Sequence, residues 1–133
     1  MKIAISAMGT TLDAEIDPRF GRCQYFIIVD PETMQFEALE NSSAMASGGA
    51  GISTAQTITG KGIEAVLTGN CGPNAYQVLS AAGIKVFTGV AGKAQDAIQN
   101  YKSGKLKANS QPNVTEHFGM GRGMGRGRGM GRR

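Results

Sequence analysis

Residues 63–88 read IEAVLTGNCGPNAYQVLSAAGIKVFT, and this stretch decides the fold. Two short runs rich in β-branched residues, Ile63–Thr68 and Ile84–Thr88, flank a segment in which apolar residues recur three, four and seven positions after Ala75. The runs are typical of strands, and the spacing is that of an amphipathic helix, which ends at Gly83. Strand, helix and strand in this order predict two parallel strands joined by a right-handed crossover.

The rest of the chain extends this pattern in both directions. Helical spacing recurs before the stretch, ending at Gly60, and after it, ending at Gly104. The N-terminal part instead predicts three strands, Lys2–Ser6, Tyr25–Asp30 and Met34–Glu40, the last resembling a half-buried hairpin partner. The sequence thus predicts an α/β fold of order β-β-β-α-β-α-β-α, a mixed five-stranded sheet with helices on its faces. In it the first strand is central, with the second and third on one side and the fourth and fifth on the other.

The composition sets the C-terminal segment apart from the rest of the 133-residue chain. Residues 119–133 contain only Gly, Met and Arg and are predicted to be a disordered tail, because so few apolar groups cannot offset the entropy cost of ordering. We expect an α/β domain over residues 1–108, a linker over 109–118 and the tail beyond it. Residues 1–118 carry nine basic and ten acidic side chains, whereas the tail carries five arginines and no acid. This cationic arm suggests an anionic partner such as nucleic acid, a membrane surface or an inorganic polyanion.

Cysteine usage and carboxylate placement argue against several functional classes. The chain has two cysteines, Cys23 and Cys71, no secretory-type N-terminus and no apolar run as long as a membrane span, which predicts a reduced, cytoplasmic protein without membrane association. A self-contained zinc site is not expected, because there is no Cys-x-x-Cys and only one histidine. The strands predicted at Lys2–Ser6 and Ile63–Thr68 offer only Glu64 as a carboxylate, too few for a two-metal nuclease. We therefore predict a binding protein rather than an enzyme, with no catalytic residues.

The predicted topology brings four connections to one edge of the sheet, which we term the rim. Open α/β sheets bind ligands outside the carboxyl ends of their parallel strands, where the strand order reverses, here between the first and fourth strands. The connections span residues 7–24, 41–51, 69–74 and 89–93.

Glycine dominates the second of these connections, Ser47-Gly48-Gly49-Ala50-Gly51, which opens directly into a predicted helix. Backbone N–H groups and the positive end of the helix can face an anion there. The spacing matches neither a Walker loop nor the dinucleotide fingerprint. The alternative is a flexible entry loop without a ligand.

The third connection, Gly69-Asn70-Cys71-Gly72-Pro73-Asn74, joins a strand to a helix. A thiol just before the helix is expected to have its thiolate stabilised by the helix N-terminus. Soft thiolates suit iron, copper and molybdenum–sulfur chemistry. The alternative is that Cys71 is a small buried hydrophobic residue.

The first connection carries Arg19 and Arg22 as well as Cys23. Guanidinium groups can hold an oxo- or thio-anion through several donors. The alternative is that both arginines pair with the nearby acids to order a long loop; these acids are Asp13, Glu15 and Asp17.

Soft and titratable groups add weaker candidates. Met8 lies beside the first connection, and methionines repeat through the tail at Met120, Met124 and Met130. His117 can fold back onto the rim as a metal ligand or remain an exposed bystander. Arg/Gly tails often bind nucleic acid, but this one lacks the aromatic residues that stack on bases.

In order along the chain, these motifs resemble the dinitrogenase iron–molybdenum cofactor biosynthesis family, which includes the NifX proteins and the C-terminal domain of NifB. The resemblance covers roughly residues 1–107. It is carried by Pro18-Arg19-Phe20-Gly21-Arg22 with Tyr25-Phe26, Gly48-Gly49-Ala50-Gly51, Gly69-Asn70-Cys71-Gly72-Pro73-Asn74-Ala75 and Ala82-Gly83-Ile84-Lys85-Val86.

The resemblance implies a ribonuclease H-like α/β fold that lacks the nuclease carboxylates, and a protein that binds, carries or stores a metal–sulfur cluster without transforming it. The implied cluster is iron–sulfur, including thioferrate, or a molybdenum-containing sulfide, and a cluster-delivery protein is the implied partner. A nucleic-acid-binding or scaffold protein that uses the tail is the alternative. The residues predicted to bind the cluster are Arg19, Arg22, Gly48, Gly49, Gly51, Asn70, Cys71 and Gly72, with Cys71 and His117 as candidate metal ligands.

Overall fold

The computed structural model describes residues 2–44, 49–109 and 112. Within these residues the chain forms five strands and three helices in the predicted order. Their bounds are β1 Lys2–Ala7, β2 Tyr25–Val29, β3 Phe36–Glu40, α1 Ala50–Thr59, β4 Ile63–Leu67, α2 Pro73–Ala81, β5 Lys85–Phe87 and α3 Ala94–Lys102.

The strands form one mixed sheet in the order β3-β2-β1-β4-β5. β1 pairs antiparallel with β2 and parallel with β4, while β2–β3 is antiparallel and β4–β5 is parallel. The predicted α/β class, element order and strand order are confirmed. The sheet therefore reverses its strand order between β1 and β4, and the carboxyl ends of both strands meet at the rim.

Helices cover the two faces of the sheet unequally. α1 and α2 pack on one face, where Ile58 and Leu79 contact a core that includes Phe26 and Val66. α3 packs on the other face, where Ile98 lies in a core with the remaining apolar residues of the central strands. Because β1 is buried on both faces, its residues are apolar almost without interruption, as expected for a strand between two layers of helices.

The edge strand β3 departs from the prediction. The segment is predicted to be a half-buried hairpin partner, but Phe36 and Ala38 on one of its faces are exposed, and Leu39 on the opposite face packs against the core. Phe36 pairs with Val29 and Ala38 pairs with Ile27, so both lie on the face of the sheet that α3 covers. Among the helices of the described residues, only α3 lies on that face, and it packs over the middle of the sheet, so the outer strand remains uncovered.

Candidate functional site

The first, third and fourth connections meet at the rim and are joined by backbone hydrogen bonds. Each bond links two connections that are distant in sequence, so the loops form one packed surface and do not project separately. The bonds run from Phe20 N–H to the Asn70 carbonyl at 3.2 Å, from Gly89 N–H to the Gly69 carbonyl at 2.8 Å, and from Ile16 N–H to the Gly92 carbonyl at 2.8 Å.

A buried serine lies at the point where the strand order reverses. The Ser6 hydroxyl donates to the carbonyl of Asp17 at 2.7 Å and lies 2.8 Å from the Thr68 hydroxyl oxygen. Ser6 and Thr68 are both fully buried near the ends of adjacent parallel strands. Because buried polar groups need partners, this pair ties the first connection to the central strands.

Close backbone contacts lock the first connection against the second and third. A Cβ atom on Gly21 would lie 2.9 Å from the Cα of Gly51, and one on Gly69 would lie 2.6 Å from the Cα of Pro18. Real Cβ atoms do not approach other atoms so closely, so only glycine permits these contacts. The glycines at Gly21 and Gly69 therefore serve the packing of the rim.

The N-termini of α1 and α2 lie side by side at the rim. A Cβ atom on Gly51, in the first turn of α1, would lie 3.4 Å from the Cβ of Ala75, in the first turn of α2. Gly49 precedes α1 as its N-cap, is exposed and has φ of 70°, a conformation that favours glycine. The first N–H groups of a helix have no acceptor within it, so both helices direct positive ends toward this surface. Gly48 lies outside the described residues.

Arg19 combines the two predicted roles, pairing with an acid while remaining accessible. Its Nε lies 3.6 Å from Oδ1 of Asp17, and its side chain is 52% exposed whereas that of Asp17 is 3% exposed. The same carboxylate oxygen accepts a hydrogen bond from the Arg19 backbone N–H at 3.0 Å. Asp17 thus holds the backbone of Arg19 in place, and half of the arginine side chain still faces solvent.

Arg22 reaches across to the second connection. Its Nη1 donates to the carbonyl of Ala44 at 3.0 Å, which ties the start of that connection to the first one. A guanidinium group has five N–H donors, and the bond to Ala44 uses one of them.

Charge is distributed unevenly along the rim. The acidic part of the first connection pairs with the start of α3. Glu15 forms an antiparallel β-bridge with Lys93, and the Ala94 N–H donates to the Ala14 carbonyl at 2.9 Å. α3 also has an acid, Asp96, in its first turn, whereas the first turns of α1 and α2 have none. We call the part of the rim formed by Arg19, Arg22 and the N-termini of α1 and α2 the cationic half.

The two cysteines are both buried at the rim, which for Cys71 agrees with the alternative of a small buried residue. The thiolate of Cys71 was expected to be stabilised by the helix N-terminus, but burial raises the pKa of this thiol to about 12. Cys71 is 1% exposed, and Sγ lies 3.8 Å from the Gly72 carbonyl oxygen. Burial, followed by the charge of Asp17, likewise raises the pKa of Cys23 to about 12. Desolvation of the charged form is the largest cause for both groups, so both are neutral thiols at physiological pH.

Sequence reasoning missed two polar residues that organise the rim. The Asn41 side-chain amide donates to the carbonyls of Gly21 at 3.2 Å and Cys23 at 2.9 Å. The Thr54 hydroxyl, which is buried in α1, donates to the Gly21 carbonyl at 3.3 Å. One signal was available, because Thr54 lies one helical turn before the buried Ile58 and so on the apolar face.

Other candidates lie outside the rim contacts. His117 and the tail methionines fall outside the described residues, whereas Met8 is described and is 51% exposed. The described part of the chain contains no group of three or more His, Cys, Asp or Glu placed to hold a metal ion. None of its helices has the length and apolar character needed to cross a membrane.

The mixed sheet with its interlocked rim matches known proteins. A model of the dinitrogenase iron–molybdenum cofactor family matches residues 1–104. The chain belongs to this family. The matched residues include all four connections of the rim and end before the Gly/Met/Arg tail.

Family relatives share both fold and sequence with this chain. The apo form of the orange protein from Desulfovibrio gigas superposes with a TM-score of 0.83 and 41% identity, covering 85% of this chain and 96% of that one. A NifB-like protein from Thermotoga superposes with a TM-score of 0.70 and 37% identity. The match covers 80% of this chain and 91% of that one. An uncharacterised protein of Methanocaldococcus jannaschii is 30% identical over 111 residues, 80% of this chain and 94% of its own length. Membership of this family indicates a role in binding or carrying a metal cluster.

Proposed function

We propose that this protein carries or stores an anionic metal–sulfur cluster, which it binds at the cationic half of the rim and does not transform. The supporting observation is that Arg19 and Arg22 lie beside the adjacent N-termini of α1 and α2, with no acid in the first turn of either helix. In a family named for a metal–sulfur cofactor, this is the part of the rim whose charge suits such a cargo.

The donors of the cationic half fit a polyanion bound by charge and hydrogen bonds. Thiometalates and thioferrates carry several negative charges on sulfur atoms, which accept hydrogen bonds from N–H groups. The half-exposed guanidinium of Arg19 and the exposed backbone at Gly49 offer such groups. Arginine cannot chelate a metal, so these contacts hold the sulfide surface of the cluster.

Cys71 has a secondary place in this proposal. Its thiol is buried and keeps its proton at neutral pH, because burial raises its pKa to about 12. A bond from Cys71 to a metal requires both the loss of that proton and movement of the turn. We therefore assign the first contact with the cluster to the arginines and the backbone N–H groups, including those near Asn70 and Gly72.

The decisive experiment uses the full chain under anaerobic conditions. We expect protein titrated with tetrathiomolybdate plus copper(I), or with ferrous iron plus sulfide, to develop a visible chromophore that co-elutes with it in gel filtration. Metal and sulfide analysis then gives the stoichiometry, and the better probe identifies the class of cluster. If neither mixture yields a protein-bound chromophore at stoichiometric protein, the proposed function is wrong.

Charge-matched variants test the location of the site. Arg19→Ala and Arg22→Ala are each expected to weaken binding about tenfold or more, because a hydrogen bond to a charged group is worth about 1.5–3 kcal/mol. Lys61→Ala removes the same charge from the exposed turn between α1 and β4, at the opposite end of the sheet, and is expected to leave the affinity unchanged. Equal losses in all three variants would point to long-range attraction rather than to binding at the cationic half.

A further inference from the structure

The two outer strands of the sheet differ in how their edges are covered. At the edge of β5, Asn109 takes the place of a further strand: its N–H donates to the Val86 carbonyl at 2.7 Å, and its Oδ1 accepts from the Thr88 N–H at 3.0 Å. At the outer edge of β3, no residue that the structure describes makes such bonds. An open edge of this kind offers backbone hydrogen bonds to an added strand.

The pairing of β3 with β2 identifies the free backbone groups of this edge. The residues that flank β3 both bond toward β2: the Gln35 carbonyl accepts from the Asp30 N–H at 2.9 Å, and the Asn41 N–H donates to the Gln24 carbonyl at 2.9 Å. In an antiparallel pair, alternate residues turn their backbone groups toward the partner strand, so the odd-numbered residues of β3 face β2 as well. The residues whose N–H and carbonyl groups point outward are Phe36, Ala38 and Glu40.

The side chains along this edge are exposed and are either apolar or acidic. Phe36 is 43% exposed, and Ala38, which lies on the same face of the sheet, is also exposed. The charged residues of the strand are Glu37 and Glu40, both exposed. Residues 23–60 contain four acids and no lysine or arginine. The edge therefore combines free backbone groups, an apolar strip and negative charge.

We propose that the β3 edge binds a protein partner through an extended, basic segment, which adds to the sheet as a further antiparallel strand. The outward groups of β3 then all gain hydrogen-bond partners. Lysine or arginine opposite Glu37 and Glu40 pairs with these acids, and an apolar side chain opposite Phe36 covers its ring. A second copy of this chain fits less well, because its own β3 brings two more glutamates to the edge. Since β3 lies outside the cationic half, the proposal does not depend on cluster binding.

A designed peptide tests the charge of the edge. The sequence Lys-Thr-Val-Lys-Tyr, paired antiparallel with β3, places its lysines opposite Glu40 and Glu37 and its tyrosine opposite Phe36. One strand of a cyclic β-hairpin carries this sequence, so that it is extended before it binds. We expect it to bind the full chain about tenfold more tightly than a hairpin with Glu-Thr-Val-Glu-Tyr, because attractive cross-strand pairs replace repulsive ones. A chain that combines Glu37→Lys with Glu40→Lys is expected to reverse this preference.

The backbone hydrogen bonds are tested separately from the charge. Ala38→Pro removes an outward N–H and leaves the bonds to β2 in place, and proline is tolerated on an edge strand when the missing N–H faces solvent. N-methylation of the valine in the hairpin removes the opposite donor without changing the protein. Each change is expected to weaken binding about tenfold, since it leaves a polar group of the paired strands unsatisfied.

Binding is followed through the NMR signals and hydrogen exchange of the β3 amides, so that peptide bound elsewhere is not counted. The basic hairpin is expected to slow exchange at Phe36, Ala38 and Glu40, and to change little at Glu37 and Leu39, which already bond to β2. Equal affinity for the two hairpins, no binding of the basic one, or binding that survives N-methylation would overturn the proposal. A dimeric chain in gel filtration with the outward amides already protected would also overturn it, because a second copy would then occupy the edge.

Discussion

Gly21 lies so close to Gly51 that a Cβ atom on Gly21 would be 2.9 Å from both the backbone nitrogen and the Cα of Gly51. The first connection of the rim therefore rests directly on the first turn of α1. The Gly21 carbonyl accepts hydrogen bonds from the side chains of Asn41 and Thr54, which further fix Gly21 in place. The position of Arg19 and Arg22 relative to the helix N-termini depends on this contact.

Gly21→Ala is expected to push the first connection away from α1. Overpacking of this kind costs about 1–3 kcal/mol, and we expect both a lower free energy of unfolding and weaker cluster binding. Chemical denaturation and the anaerobic titration measure the two effects. Gly60→Ala is the matched control, because a Cβ atom there lies at an ordinary 3.7 Å from the Thr57 carbonyl oxygen. Equal stability of the two variants would show that the rim tolerates displacement of this loop.

Ser6→Ala removes the buried hydroxyl between Asp17 and Thr68. The Asp17 carbonyl then lacks this donor, and leaving a buried polar group unsatisfied costs about 1–3 kcal/mol. We expect a lower midpoint of urea unfolding and slightly weaker cluster binding, since the loop that carries Arg19 loses its tie to β1. Ser80→Ala, at an exposed position of α2, is the control and is expected to change stability by no more than about 0.5 kcal/mol. The role assigned to Ser6 would be wrong if both serine variants unfolded at the same urea concentration.

Thiol accessibility follows from the burial of Cys23 and Cys71. Because the pKa of each thiol is raised to about 12, the reactive thiolate is scarce at pH 8 and is also shielded from reagents. The native apo protein is expected to react with a chromogenic disulfide reagent far more slowly than the protein unfolded in urea, which should release two equivalents. Rapid reaction of one thiol in the native protein would show that the turn at Cys71 or the first connection opens readily.

Stability is expected to fall in alkaline solution. The unfolded thiols ionise near their ordinary pKa of 9.0, while the folded ones keep their protons until about 12. Between these values the folded state binds more protons than the unfolded state, so the free energy of unfolding decreases as pH rises from 9 toward 12. Chemical denaturation at a series of pH values measures this decrease. The free energy of unfolding should fall less steeply with pH in the variant that combines Cys23→Ala with Cys71→Ala than in the native sequence. A slope identical to that of the native sequence would contradict the raised pKa values.

Tyr101→Phe is expected to lower stability without affecting the rim. The Tyr101 hydroxyl donates to Oε2 of Glu64 at 2.6 Å, while its ring packs edge-on against Phe87 with centroids 5.5 Å apart. Phenylalanine keeps the ring contact and loses the hydrogen bond, which should cost about 1–2 kcal/mol. Cluster affinity should be unchanged because the pair lies at the far end of the sheet. A double-mutant cycle with Glu64→Gln measures the coupling, and zero coupling would show that the hydrogen bond contributes no stability.

Several features of the fold follow from local patterns that the sequence displays directly. The helix between Ala75 and Gly83 and the two strands beside it are set by spacing and β-branched content, which depend only on near neighbours. β1 is apolar almost throughout because it is covered on both faces. The same reasoning placed the four connections at one rim, since alternating strands and helices dictate where each connection lies. It failed for β3, because the residue pattern does not say which helix covers which part of the sheet.

Within the site, the sequence by itself determined that Arg19, Arg22, the glycines and Cys71 would gather at one edge of the sheet. Only the tertiary structure decided the protonation and the hydrogen-bond partners of these residues. It shows that Cys71 is a buried neutral thiol, that Asp17 accepts a hydrogen bond from the Arg19 backbone, and that Asn109 bonds to the edge of β5. The reason is physical. Periodicity records which side of an element faces the core, whereas desolvation, hydrogen-bond partners and close backbone contacts depend on groups that are far apart along the chain and meet only when it folds.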